Sequence, residues 1–244
     1  MRAPKDKVGA AEDMGSEYIW GLHILPPMPA SPLLLVLDTG SPLVSVAAGR
    51  GSELLAERSV EIERSSGKLL ELIGEVLEEV GAMPADLGGV AALQGPGSFT
   101  GLRIGLATVL GFHQALGVRA TALPTLQVLA AWALHTEGTI VAAVDALRGD
   151  WSAQAFRSGP EALGEMQLVP GNLLPELGST IVGFGVGRLA ELPDWPSEVR
   201  LIEPGPLAGA ALRLAGDSRT MWDPDFLIRP LYSRPPAITK PRPR

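Results

Sequence analysis

Gly95-Pro96-Gly97-Ser98-Phe99-Thr100-Gly101-Leu102-Arg103-Ile104-Gly105 is the stretch whose reading decides the fold. A short apolar run, Gly89-Val90-Ala91-Ala92-Leu93, precedes it and reads as a buried strand. Beyond it Leu102, Leu106, Val109, Leu110 and His113 recur at the spacing of one helical face. The order is therefore strand, glycine-rich turn, helix. Ser98 or Thr100 is placed to cap that helix by accepting a bond from a free backbone N–H. Gly95 and Gly97 give a tight turn whose amides can point at an anion or a partner, and the helix N-terminus adds partial positive charge. Two nucleotide loops fail here. A Walker A loop needs a lysine after the turn, and none is present. A dinucleotide fingerprint needs a third glycine where Thr100 stands and an acidic residue about 20 positions on. From Leu87 to Thr136 there is no Asp or Glu.

The chain has 244 residues, enough for one large or two small domains with a real core. With 46% hydrophobic and 19% charged residues it is an ordinary soluble globular sequence. Its 29 glycines and 22 prolines show no repeat period and read as turns. The absence of cysteine removes disulfides, thiol chemistry and the commonest structural zinc sites, and fits the cytoplasmic location expected. A net charge of −7 argues against this chain gripping RNA alone, because phosphate binding rests on clustered Lys and Arg. No stretch reaches the roughly 20 apolar residues of a membrane helix, so no membrane partner is expected.

Outward from the glycine-rich stretch, Leu33 to Ser41 is a buried strand ending in the acidic turn Asp38-Thr39-Gly40, and 42–48 and 53–62 return as a meander. Arg64-Ser65-Ser66-Gly67 is a turn. Leu69, Leu70, Ile73, Leu77 and Val80 then mark a helix that Gly81 ends. After the glycine-rich helix come a strand at 119–122 and a helix from Thr125. The opening theme then recurs: Thr139 to Asp145 is again an apolar strand ending in Asp, Arg148-Gly149-Asp150 a turn, and 151–156 a returning strand. A strand at 180–184 and a helix at 205–215 follow. Residues 1–30, with acidic residues ahead of Tyr18-Ile19-Trp20, lack a signal peptide's basic start and are expected to be a disordered or mis-assigned extension. Domains are expected at 31–136, at 137–228 as a reduced second lobe, and at 229–244 as a proline-rich basic tail.

The run from Gly95 to Gly105 resembles the signature of the TsaB (YeaZ) family, and Pro230-Leu231-Tyr232-Ser233-Arg234-Pro235 resembles that family's tail. The resemblance implies a two-lobed α/β actin-like fold (ASKHA, ribonuclease H-like), each lobe a mixed sheet with flanking helices. It also implies a non-catalytic subunit of the machinery that places threonylcarbamoyl on the adenosine beside the tRNA anticodon. The implied partners are a TsaD-type catalytic subunit, a TsaE-type ATPase and a second copy of the chain when alone, with tRNA met mainly through the complex. In that fold Asp38, Thr39 and Gly40 hold the place of the first phosphate loop, and with Gly95, Gly97 and Ser98 they form the nucleotide or anion loop to test. Asp38 then either faces a metal-bound phosphate or ties down its own turn.

The TsaD relative carries a His-x-x-x-His metal pair after its glycine-rich loop. The matching positions here are near Thr125 and Leu129, which ligate nothing. His23, His113 and His135 are not at metal spacing, Ser98 has no His and acid partners, and neither catalytic residues, metal nor cofactor is expected. Where many TsaB proteins have a histidine beside a serine, this chain has Arg64-Ser65-Ser66-Gly67.

What remains is a surface. On the glycine-rich helix Gly101, Gly105, Thr108 and Phe112 form one small-residue stripe, and Ala107, Gly111 and Ala115 another. One must face the chain's own sheet, and the other is left for a partner. TsaB proteins pair through their first two helices, so the expected interface is Leu69, Leu70, Ile73, Leu77, Gly101, Arg103, Gly105, Thr108 and Phe112. The competing class is a small-molecule ATP-dependent phosphotransferase of the same fold, which needs a catalytic base aspartate and a second-lobe adenosine site, with Gly183-Phe184-Gly185-Val186-Gly187 as the candidate for the latter.

Overall fold

The computed structural model describes residues 31–61, 67–133, 135–157 and 160–234. The 1–30 extension, most of the turn at 64–67 and the tail beyond Arg234 lie outside the described residues.

The first strand, β1 (Leu33–Asp38), has all six side chains buried. Both its faces are covered, which is why the sequence shows a continuous apolar run and no alternation. Strand β2 (Leu43–Arg50) returns antiparallel to it, with Asp38 opposite Ser45, and β3 (Glu53–Glu61) forms the exposed edge. Helix α1 (Leu69–Glu79) then crosses to β4 (Gly89–Gly95), parallel to β1, and α2 (Phe99–Leu116) crosses to β5 (Arg119–Pro124). The first sheet has the order β3-β2-β1-β4-β5.

Helix α3 (Thr125–Trp132) leads into the second lobe, where β6 (Ile140–Asp145) and β7 (Asp150–Arg157) repeat the opening hairpin. Two short strands, β8 (Glu161–Ala162) and β9 (Gln167–Pro170), pair with β7. On the other side β10 (Thr180–Val182) and β11 (Arg200–Ile202) add in parallel, giving β11-β10-β6-β7-β8. Each lobe is thus a mixed sheet with an antiparallel hairpin beside parallel strands. The fold is the two-lobed α/β actin-like one.

Alternate residues of the central strands sort the core into three layers. Leu33, Leu35 and Leu37 face α1 and α2. Leu34 and Val36 face the opposite way, onto α3 and α4 (Ala208–Ala215), which share that middle layer with Ile140 and Ala142 of the second sheet. Val141, Ala143, Trp151 and Ile181 form the third layer.

Helix α4, which lies within the expected second-lobe range 137–228, packs on β1, β2 and β3 of the first lobe. Its N-terminal amides explain the placement: Ala208 N donates to Ser45 Oγ at 3.1 Å and Gly209 N to Glu57 Oε1 at 2.7 Å. Burial pushes the Glu57 carboxyl up, and the Gly209 amide and the charge of Arg213 partly offset it. A 3-10 turn at Pro224–Ile228 likewise lies on β5 and α2. In the described part of the expected tail, Leu231 N donates to Gln94 O at 2.8 Å, which holds that residue against the first lobe.

Candidate functional site

The β1–β2 turn and the glycine-rich loop pack backbone to backbone. Asp38 is fully buried, and its Oδ1 accepts from Gly40 N at 2.9 Å and from Ser41 N at 3.2 Å. Oδ1 thus ties down its own turn, as one of the two readings of Asp38 expects. Its Oδ2 is buried without a hydrogen-bond partner, and burial, only partly offset by the Gly40 and Ser41 bonds, pushes the carboxyl up to about 6. Thr39 Oγ1 donates to Gly101 O at 2.7 Å, and Ser98 N donates to Gly40 O at 2.8 Å. Ser98, not Thr100, caps α2 by accepting from Gly101 N.

The glycines of the signature are explained by this contact. A Cβ on Gly101 would stand 1.9 Å from Thr39 O, and one on Gly105 2.3 Å from Thr39 Oγ1. One on Gly97 would stand 2.8 Å from Gly40 O. Gly95 has φ +107 and lies against Leu231 O, so it answers both to backbone conformation and to space. The amides of Gly40, Ser41, Ser98 and Gly101 therefore all point inward, onto acceptors of this chain.

Between the lobes lies a cleft of about 430 Å³, walled by Gly40 and Ser98 on one side, Val144 and Phe184 on the other, with Thr125 and Leu129 of α3 behind. Thr125 and Leu129 are both buried, and Thr125 Oγ1 has no hydrogen-bond partner among the described residues. Asp145 mirrors Asp38: its Oδ1 accepts from Leu147 N at 2.8 Å, while Oδ2 pairs with Arg188 at 2.7 Å. In the second-lobe glycine loop Gly185 N and Gly187 N both donate to Glu203, each at 2.8 Å. Glu203 thus ties down two amides of the loop offered as the phosphotransferase's adenosine site. Among the described residues no group of three or more His, Cys, Asp or Glu is placed to hold a metal.

The expected interface needs correction. Leu69, Ile73 and Leu77 are buried under the first sheet, and only Leu70 stands out, 70% exposed. Gly101 and Gly105 face Thr39 and are buried as well. Thr108 is half-buried with its hydroxyl bonded back to Ile104 O, and Phe112 packs partly into the core beside α1. Arg103 is exposed. The inward stripe of α2 is thus the one assigned to a partner, and Ala107, Gly111 and Ala115 are the outward one. A Cβ added at Gly111, or at Gly74 on α1, meets nothing within 4 Å.

Several contacts were not foreseen. Gln94 is 7% exposed, and its Nε2 donates to Arg229 O at 2.8 Å and to Phe226 O at 3.3 Å, stitching the tail to β4. Arg103 lies 3.9 Å from the Phe99 ring centre and donates through Nε to Tyr232 Oη at 3.2 Å. Arg234 pairs with Asp150 across the lobes. The family resemblance of the tail motif was the available signal for these, since it singled out Tyr232 and Arg234 before a role was visible.

A family model described as "TsaD: tRNA N6-adenosine threonylcarbamoyltransferase" matches residues 59–176. The tRNA threonylcarbamoyladenosine biosynthesis protein TsaB of Bacillus subtilis is 29% identical over 48% of this chain and 51% of that protein. The protein of the same name from Haemophilus influenzae is 34% identical over 46% of this chain and 49% of that one. The chain spans about half the length of the curated relatives it matches. The solved structure of YeaZ from Pseudomonas aeruginosa is similar over 76% of this chain and 91% of that one, with a TM-score of 0.64 and 26% identity.

Proposed function

The chain belongs to the TsaB (YeaZ) family, and from that premise we propose that it is the non-catalytic activating subunit of a tRNA threonylcarbamoyladenosine-forming assembly. It pairs with a TsaD-type catalytic subunit, joins a TsaE-type ATPase, self-associates when alone, and meets tRNA mainly through the complex. The observation that carries this reading is the inward commitment of the glycine-rich loop. Ser98 N is given to Gly40 O, and Gly97, Gly101 and Gly105 make room for the Gly40 and Thr39 atoms of the β1–β2 turn, which favours a structural use of the loop. What the loop and helix offer outward is a close-approach surface: Leu70 and Gly74 on α1, with Ala107, Gly111 and Ala115 on α2. Small side chains let a partner helix pack at the short end of the usual 8–10 Å range.

The test is co-purification with TsaD-type and TsaE-type subunits, followed by nucleoside analysis of tRNA modified with and without this chain. Gly111→Leu is expected to leave the monomer folded, weaken TsaD binding at least tenfold and lower threonylcarbamoyladenosine formation in step. Modification at full rate without this chain, or ATP turnover by the isolated chain, overturns the assignment.

A further inference from the structure

A second surface lies on the other flank of α2. Helix α1 sits over β2 and β3, α2 over β4, and the 3-10 turn Pro224–Ile228 over β5, so α2 has α1 on one side and that turn on the other. Between α2 and the turn runs a groove of about 520 Å³. Leu106, Leu110 and Leu227 line it, and Ile228 is 64% exposed on its rim. Arg103 and Tyr232 line it as well.

That arginine is held in place before anything binds. The Phe99 ring supports its guanidinium from one face, Tyr232 Oη fixes Nε, and the Phe99 and Tyr232 rings are themselves 4.9 Å apart. Among the described residues no carboxylate pairs with it, and α2 carries no Asp or Glu. The rest of the surface is of the opposite character: the chain is net −7, and the outer face of α1 carries Glu71, Glu75, Glu78 and Glu79. A pre-positioned guanidinium beside an apolar trough is complementary to a carboxylate flanked by aliphatic side chains, because a planar fork takes a carboxylate through two parallel bonds. Little side-chain freedom is left for Arg103 to lose on binding. A nucleic acid fits less well: the trough offers aliphatic carbon where bases need stacking faces or edge contacts, and one fixed cation makes no phosphate track.

We propose that this groove docks an acidic, apolar-anchored protein segment of a partner subunit, as a contact that adjoins the α1–α2 face at Ala107 and extends beyond it to Leu227 and Ile228. Its carboxylate meets Arg103, and its aliphatic side chains lie on Leu106, Leu110 and Leu227. The proposal rests on the reading that this chain works inside a multisubunit assembly.

The experiment titrates purified TsaD-type and TsaE-type subunits against the full chain and its Arg103→Glu, Ile228→Lys and Gly111→Leu variants, each first checked by melting temperature. A photo-crosslinking residue at position 228 then maps what lies in the groove. Arg103→Glu and Ile228→Lys should each weaken one subunit at least tenfold, the crosslink should fall on a segment containing Asp or Glu, and reversing that acid to Lys should restore binding to Arg103→Glu. Both groove variants binding like the parent while Gly111→Leu fails would overturn the groove and leave the family function standing. A parent chain that binds neither subunit sinks both. A crosslink to this chain's own residues 1–30, to a second copy, or to tRNA overturns the proposal by naming a different occupant. Should either variant melt early, the other and the crosslink still decide.

Discussion

Two glycines ten residues apart on one helix should respond to alanine with opposite signs. A methyl at Gly101 would stand 1.9 Å from Thr39 O and 2.9 Å from Thr39 C. The obstacle is backbone, so no rotamer relieves it, and the β1–β2 turn must move by about 1 Å or more to restore ordinary contact near 3.5–4 Å. Overpacking of this kind costs up to about 3 kcal/mol. The movement also breaks the buried bond from Thr39 Oγ1 to Gly101 O, which adds about 1 kcal/mol. Alanine returns about 1 kcal/mol through its better helix propensity. The net expectation for Gly101→Ala is a loss of about 3 kcal/mol, or roughly 6–12 °C in melting temperature for a domain of this size. At Gly111 an added Cβ meets nothing within 4 Å, so only the propensity gain of about 1 kcal/mol remains and the melting temperature should rise. Urea unfolding of both variants beside the parent is the assay. Gly101→Ala as stable as the parent, or Gly111→Ala less stable, would refute the assignment of the inward and outward stripes. Binding then supplies an independent reading, since Gly111→Ala should be the more stable protein and the poorer partner.

Asp38 has its carboxyl raised to about 6, above its unfolded value. Its contribution to stability is therefore full below about pH 4 and is lost as pH rises through 6, a change of about 3 kcal/mol. Asp38→Asn should remove that slope, so its melting temperature gains on the parent between pH 4 and pH 7; a difference that stays constant with pH would contradict it. Gln94→Leu removes the donor to Arg229 O and Phe226 O and should cost about 2 kcal/mol, with faster amide hydrogen exchange over 226–232 as the diagnostic. Unchanged exchange there would show that the tail is held by other contacts. Arg234→Ala breaks a half-exposed ion pair with Asp150 and should cost no more than about 1 kcal/mol, yet raise protease sensitivity in the tail. A large global destabilisation would instead place that pair in the folding core.

Much of the architecture was legible because its cause is local. Strands β1 and β6 read directly, since a strand covered on both faces has to be apolar at every position, and the Asp at each end marks the turn that its own carboxylate ties. The glycine-rich loop and the cap at Ser98 read directly for the same reason. What a sequence window does not contain is the element that comes to lie across from it. Gln94 bonds to carbonyls 132 and 135 residues away, and α4 returns from beyond the second sheet to cover the free face of β1 and β2. The expected boundary therefore followed chain order where the packing does not.

Leu69, Ile73, Leu77, Gly101 and Gly105 of the expected interface turn inward for a related reason with a sharper lesson. An amphipathic stripe states that a face is buried, not by what, so Leu69, Ile73 and Leu77 fit a partner helix and the chain's own sheet equally well until the sheet is in place. Small-residue stripes carry the same ambiguity: Gly101 and Gly105 announce a close approach, and here it is the Thr39 backbone that approaches. A glycine-rich loop beside a helix N-terminus has two uses for its amides, an external anion or an internal acceptor. Residue types do not separate the two, because each needs the same tight turn and the same missing side chains. In this chain Ser98 N is given to the carbonyl of Gly40, and Gly185 N and Gly187 N to the carboxylate of Glu203, so these three amides have the internal use. With those donors turned inward, the outer surfaces of α1 and α2 are where the physical argument for a partner has to be made.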